Sequence, residues 1–306
     1  NAAISACDKG NQWEQALSLF AELSAKGLHP NIITFSAVVS ACRRARQWEQ
    51  AWFLFGELKK TDIVLDVISY NTAMSTCDHL EQWEDTVSLL AEMREAALEP
   101  NINSYNAGVN AYHQGRQWQK ALSLFSEVRE SKLEPDVISY NAAISACKTG
   151  GRWELALSLL GELLQSLLEP DTISYSAGIS VCEKSAEWEW ALSLLREMRE
   201  AALEPNVISY NTAASACEKG LRWQQAVSLV GELRESWLEP DTISHSAAIG
   251  ACTNSGEWQR VLSLFRESRE LNLEHTASIY SGAIGMCEQG GQWQQSWPVL
   301  RELLER

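Results

Sequence analysis

Asn1, Ser36, Asn71, Asn106, Asn141, Ser176, Asn211, Ser246 and Ser281 stand 35 residues apart, with no insertion or deletion. A second column keeps the same interval: Asn31, Asp66, Asn101, Asp136, Asp171, Asn206, Asp241 and Thr276. Both columns consist of small amides, carboxylates and hydroxyls, whose common chemistry is donating and accepting hydrogen bonds. Two uses are open. Most residues of the second column follow a proline and precede a helical pattern, so helix capping explains their type. Capping does not explain why both columns switch among a few hydrogen-bonding types while their flanks stay nearly fixed. Recognition of a partner's polar edges does.

The columns are held by a repeat, and the copy Val137–Asp171 shows its parts. Tyr140, Ala143, Ile144 and Cys147 fall at i, i+3, i+4 and i+7, one face of a helix. After the polar break 148–152, Trp153, Ala156, Leu157 and Leu160 repeat that spacing. Pro170 ends the second helix. Each copy is therefore predicted to be a helical hairpin, and the chain one elongated array whose units pack only on their neighbours. The expected units are 1–31, 32–66, 67–101, 102–136, 137–171, 172–206, 207–241, 242–276 and 277–306. The first and last are truncated, and the sequence reads as a segment of a longer protein. Trp297-Pro298 predicts a kink or early end in the last second helix.

Trp13, Trp48, Trp83, Trp118, Trp153, Trp188, Trp223, Trp258 and Trp293 open every second helix, and burial between hairpins is expected of them. Cys7, Cys42, Cys77, Cys147, Cys182, Cys217, Cys252 and Cys287 share one register. Equivalent positions of stacked hairpins lie about one helix diameter apart, roughly 10 Å, beyond the span of a disulfide. The cysteines are predicted to be small buried thiols, suiting a reducing compartment. With 45% apolar residues the chain can build a continuous core, and no apolar run is long enough to cross a membrane.

The repeat reads VISYNAAISAC…A-L-S-L…E-L…LEPD, and it resembles the pentatricopeptide repeat, similar to VVTYNTLI…A-L-x-L-F-x-E-M…G-x-x-P-D. Essentially the whole chain carries the resemblance. It implies an all-α fold: a right-handed α-α superhelix, a solenoid of about nine helix-turn-helix repeats. It also implies single-stranded RNA binding at one base per repeat, the fifth and last residues choosing the base and the second packing on it.

Carried over by position, Asn1 with Asn31 and Asn71 with Asn101 resemble the cytosine pair, and Ser36 with Asp66 the guanine pair. Asn106 with Asp136, Asn141 with Asp171, and Asn211 with Asp241 resemble the uracil pair. Ser176 with Asn206 resembles the adenine pair, whereas Ser246 with Thr276 falls outside the common combinations. The implied target is near 5′-CGCUUAU-3′. Ile33, Ile68, Ile138, Ile173, Ile208 and Ile243 would be the packing residues, with hairpin packing as their alternative use. Asn103 and Ser278 break that column.

A net charge of −15, from 25 basic and 40 acidic residues, argues against a nucleic-acid partner when taken alone. Its distribution softens the conflict. The first sixteen positions of the units hold ten basic and eight acidic residues, net +2, leaving 15 and 32 elsewhere, net −17. By resemblance the first helices line the RNA groove, and Lys9, Arg44, Lys184 and Lys219, all thirteenth in their units, would lie near phosphate. The track is patchy, so modest affinity and a shallow salt dependence are expected.

Nothing in the sequence assembles a catalytic centre: there is no CxxC, and the five histidines share no register. The segment is expected to be no enzyme and to need no metal or cofactor. Two functions remain. One is an RNA-binding array for stabilising, processing or translating transcripts of a mitochondrion or chloroplast, places implied by the resemblance. The other is a protein-interaction scaffold within a larger ribonucleoprotein assembly, away from the membrane.

Overall fold

The structure is a computed structural model that describes residues 2–10, 12–25, 32–60, 65–79, 82–131, 133–271, 273, 280 and 282–286. Among the described residues all regular structure is helical. Eight hairpins contain α1 Ala2–Lys9 and α2 Trp13–Ala25, α3 Ile32–Arg44 and α4 Trp48–Lys59, α5 Val67–His79 and α6 Trp83–Glu95, and α7 Ile102–Gln114 and α8 Trp118–Glu130. They continue with α9 Val137–Gly150 and α10 Trp153–Gln165, α11 Thr172–Lys184 and α12 Trp188–Glu200, α13 Val207–Lys219 and α14 Trp223–Glu235, and α15 Thr242–Asn254 and α16 Trp258–Glu270. The chain divides into two compact units, residues 1–150 and 151–306.

Within each unit one packing rule holds. Successive first helices lie against one another, as α5 on α7 and α11 on α13, and second helices pack against their own first helix and the next, as α6 on α5 and α7 and α12 on α11 and α13. The apolar i, i+3, i+4 face supplies the contact. Ala143, Ile144, Ala146 and Cys147 on α9 are fully buried, as are Leu194, Leu195 and Met198 on α12.

Both kinds of turn use a left-handed residue. Arg46, Arg116, Gly151, Ala186, Leu221 and Gly256, fifteenth in their units, have φ between 54° and 79°. The next residue's N–H then reaches back five residues, as from Gln117 to Tyr112 O at 2.8 Å. Ala97, Ala202 and Trp237 do the same at the end of their second helices. Each non-glycine in this region costs about 1 kcal/mol, which the fixed packing of the hairpins overrides. Glycine is required for a different reason just before α8. A Cβ on Gly115 would stand 2.6 Å from the Trp83 ring, and Gly150 meets Trp118 in the same way. The described tryptophans that open second helices are half-buried rather than buried, and the rings of Trp83, Trp118 and Trp188 lie against the turn of the following hairpin.

Cys42, Cys77, Cys147, Cys182, Cys217 and Cys252 are buried and free, and Cys7 is half-buried at the start of the chain. Burial pushes the thiols of Cys42, Cys147 and Cys252 up to about 11 and those of Cys182 and Cys217 to about 12. They are packing groups and not nucleophiles at neutral pH. Cys287, Trp293 and Trp297-Pro298 lie outside the described residues.

Candidate functional site

The polar columns meet at the starts of the first helices. Asn101 caps α7, its side chain accepting from Ser104 N at 3.2 Å while Asn101 N–H donates to Ser104 Oγ at 3.2 Å. Asp136 does the same for α9, at 2.8 Å and 3.2 Å, and Asp241 for α15, at 2.9 Å and 3.3 Å. Asp66, Asp171 and Asn206 likewise accept from the serine three residues on. The second column therefore does cap helices, as its residue types allow.

The caps also tie to the first column. Asn71 Nδ2 donates to Asn101 Oδ1 at 3.0 Å, Asn106 Nδ2 to Asp136 Oδ1 at 3.1 Å, and Asn211 Nδ2 to Asp241 Oδ1 at 3.0 Å. Sequence positions 30 apart thus form one polar pair. The cap and the pair both use Oδ1, so Asp136 Oδ2 and Asn101 Nδ2 take no part in them. An aspartate in this place offers an acceptor, an asparagine a donor. Burial alone would raise the Asp136 and Asp241 carboxyls, but hydrogen bonds from Ser139 and Asn106, and from Ser244 and Asn211, hold both below the usual carboxylate value.

Serine in the first column behaves differently. Ser176 Oγ lies 3.0 Å from Ser209 Oγ, and Asn206, the closing residue of that repeat, is exposed. Asn106, Asn141 and Asn211 are only 7–8% exposed, so the first column presents little surface of its own. Asn141 belongs to the first compact unit and Asp171 to the second. Ser36, Asn71 and Ser246 are half-buried, and Asn1, Asn31 and Thr276 lie outside the described residues.

Three residues before the first column stands the isoleucine column. Ile33, Ile68, Ile138, Ile173, Ile208 and Ile243 are 60–69% exposed, which removes hairpin packing as their use. Basic residues are mixed. Lys9, Arg44 and Lys184 are exposed, but Lys219 forms an ion pair with Glu183 of the preceding hairpin. Next to it, burial lifts the Glu218 carboxyl, opposed by Lys219 and reinforced by Glu183. The twelfth position is Asp8, Arg43, Asp78, His113 and Lys148 in the first unit, and Glu183, Glu218, Thr253 and Glu288 in the second.

The sequence reading passed over one set of residues. Ser69, Ser104, Ser139, Ser174, Ser209 and Ser244 are buried, and each bonds to the cap before it. Their signal was present: a serine stands three residues after each of these closing Asp or Asn residues.

The model of the pentatricopeptide repeat domain matches residues 18–79, 88–152 and 158–220, more than half of the chain, and that of the single repeat matches 243–273. The chain belongs to the pentatricopeptide repeat family. Its fold is that of other pentatricopeptide repeat structures. The maize protein PPR10, in complex with an 18-nt psaJ RNA element, is similar at 17% identity with a TM-score of 0.57, over 99% of this chain and 54% of that one. The pentatricopeptide domain of Arabidopsis thaliana protein-only RNase P 1, in complex with tRNA, is 15% identical with a TM-score of 0.51, over 61% of this chain and 95% of that one. This chain spans about half the length of the maize protein. No curated protein sequence matches it. Among the described residues no helix is long and apolar enough to cross a membrane, and no group of side chains could hold a metal ion.

Proposed function

We propose that this pentatricopeptide array binds single-stranded RNA at one base per repeat. The observation that carries this is the pairing of the two variable columns beside an exposed isoleucine. Asn211 and Asp241 are 30 residues apart in sequence, yet they form one hydrogen-bonded site in a repeat whose Ile208 stands in water. The atoms left over fit the bases. Uracil and guanine carry an imino N–H on the pairing edge and need an acceptor, which Asp66 and Asp136 supply, while Asp241 Oδ2 also accepts from Asn211 Nδ2 at 3.1 Å. Cytosine and adenine carry an unprotonated ring nitrogen there and need a donor, which Asn101 and Asn206 supply. Serine in the first column is shorter than asparagine and leaves room for a purine.

These pairs, taken over repeats one to seven, give 5′-CGCUUAU-3′. The family resemblance implies a role with organelle transcripts, in their stabilisation, processing or translation. The scaffold alternative rests on the charge of −15, but Glu92, Glu127, Glu232 and Glu267 are spent on bridges between successive hairpins.

Titration of the chain with 5′-CGCUUAU-3′ and with a shuffled heptamer at moderate salt tests the proposal. Binding of the first should be about tenfold tighter or more, with a shallow salt slope because few lysines or arginines are placed to meet phosphate. Equal or undetectable binding of both would contradict it.

A further inference from the structure

Ser104, Ser139 and Ser244 belong to one repeat and bond into the site of the repeat before. Their hydroxyls donate to Asn71 Oδ1 at 2.6 Å, to Asn106 Oδ1 at 2.7 Å, and to Asn211 Oδ1. All three serines are buried to 1% exposure or less. Each hydroxyl already accepts from the N–H of the closing residue, and its one hydrogen is shared between two acceptors, for Ser139 the Asn106 Oδ1 at 2.7 Å and the Asp136 Oδ1 at 2.8 Å. When the asparagine carbonyl takes that hydrogen, the amide has a single favourable orientation: Oδ1 towards serine, Nδ2 towards the closing residue. Flipping it would set Asn106 Oδ1 against Asp136 Oδ1, two acceptors with no proton between them.

We propose that Ser104, Ser139 and Ser244 are positioning residues that fix the amide of the preceding repeat's asparagine and thereby set its base preference. The proposal rests on the RNA-binding function above and adds a third specificity residue to each asparagine-based site, contributed across the repeat boundary. A reading site is then complete only when the next repeat is present. Repeat six shows the same place without this lock. Ser176 and Ser209 share a hydroxyl–hydroxyl contact in which either can donate, so no polarity is imposed and base discrimination there should be weaker.

The test uses the 306-residue chain and four heptamers that vary only the fourth nucleotide of 5′-CGCUUAU-3′. The unsubstituted chain should prefer uracil there. Ser139→Ala should reduce the uracil-over-cytosine ratio at the fourth nucleotide by about tenfold or to unity, the worth of one oriented hydrogen bond. The ratio at the seventh nucleotide, read by repeat seven, should not move, and Ser139→Thr should retain the preference. Should alanine lose helicity by circular dichroism, Ser139→Cys, close in volume and a weak donor, carries the same expectation. Uniform weakening of all four heptamers with the ratio intact would reduce Ser139 to a helix cap and overturn the inference alone. No base preference in the unsubstituted chain would overturn the RNA reading and the inference with it.

Discussion

Successive hairpins are tied together by two sets of polar bonds, and the two are built from opposite materials. On the second helices, Lys59 reaches Glu92 at 2.6 Å, Arg94 reaches Glu127 at 2.8 Å, Arg199 pairs with Glu232, and Arg234 with Glu267. The arginines at 94 and 199 also lie over Tyr105 and Tyr210, at 5.5 and 5.3 Å from the ring centres. At the starts of the first helices the ties are short neutral or singly charged side chains, buried or nearly so. Long exposed ion pairs lose side-chain entropy and are screened by salt, so each contributes about 0–1 kcal/mol and tolerates movement. A buried serine or asparagine has little freedom, and an unmade bond there costs about 1–3 kcal/mol. One set holds hairpins together in any of several geometries, while the other holds particular atoms in place. Only the second is suited to distinguishing one base from another.

Asp136 gives the largest expected break in that contrast. Asp136→Ala removes the cap of α9, the partner of Asn106 and an acceptor for Ser139 together. Stability should fall by about 1–2 kcal/mol in a thermal or urea melt, and uracil preference at the fourth nucleotide should disappear. Asp136→Asn is the finer cut. The cap should survive, as Asn101 shows, but the free acceptor becomes a donor and the preference should pass to cytosine. The folded pKa of Asp136 lies below its unfolded value. Its contribution to stability is therefore present above about pH 4 and is lost as pH falls through the depressed folded value. The asparagine variant should melt with a weaker acid dependence than the parent below that pH.

The exposed ladder should respond least. Arg94→Ala or Glu127→Ala is expected to cost under about 1 kcal/mol, with the loss shrinking in high salt. Neither should change any ratio in the heptamer panel. A shift in base preference from either substitution would erase the distinction between the two sets.

The hairpins were legible because a 35-residue period and a 3.6-residue face are properties of single copies. First helices begin at Ile32, Val67, Ile102, Val137, Thr172, Val207 and Thr242, each the first residue of an expected unit, and tryptophan opens each second helix. What escaped the sequence depends on contacts between copies. Ser139 carried no signal of a second partner, because its bond to Asn106 exists only once the next hairpin is stacked. Lys219 looked available for phosphate, yet the preceding hairpin brings Glu183 to it. The tryptophans were expected to be enclosed and are instead half-buried, with a turn glycine of the next hairpin against each of Trp83 and Trp118. The isoleucine column, for which residue type left packing and contact equally open, is exposed.

The central claim is that the two columns choose the base, and Asn106→Ser tests it most directly. This change keeps Asp136 and its cap but replaces the asparagine that donates to it. The fourth repeat then carries the Ser-Asp combination of Ser36 and Asp66. Measured across the four heptamers that vary the fourth nucleotide, the preferred base should change from uracil to guanine, with the other positions unaltered. An unchanged preference for uracil, in a variant that folds and binds, would contradict the account.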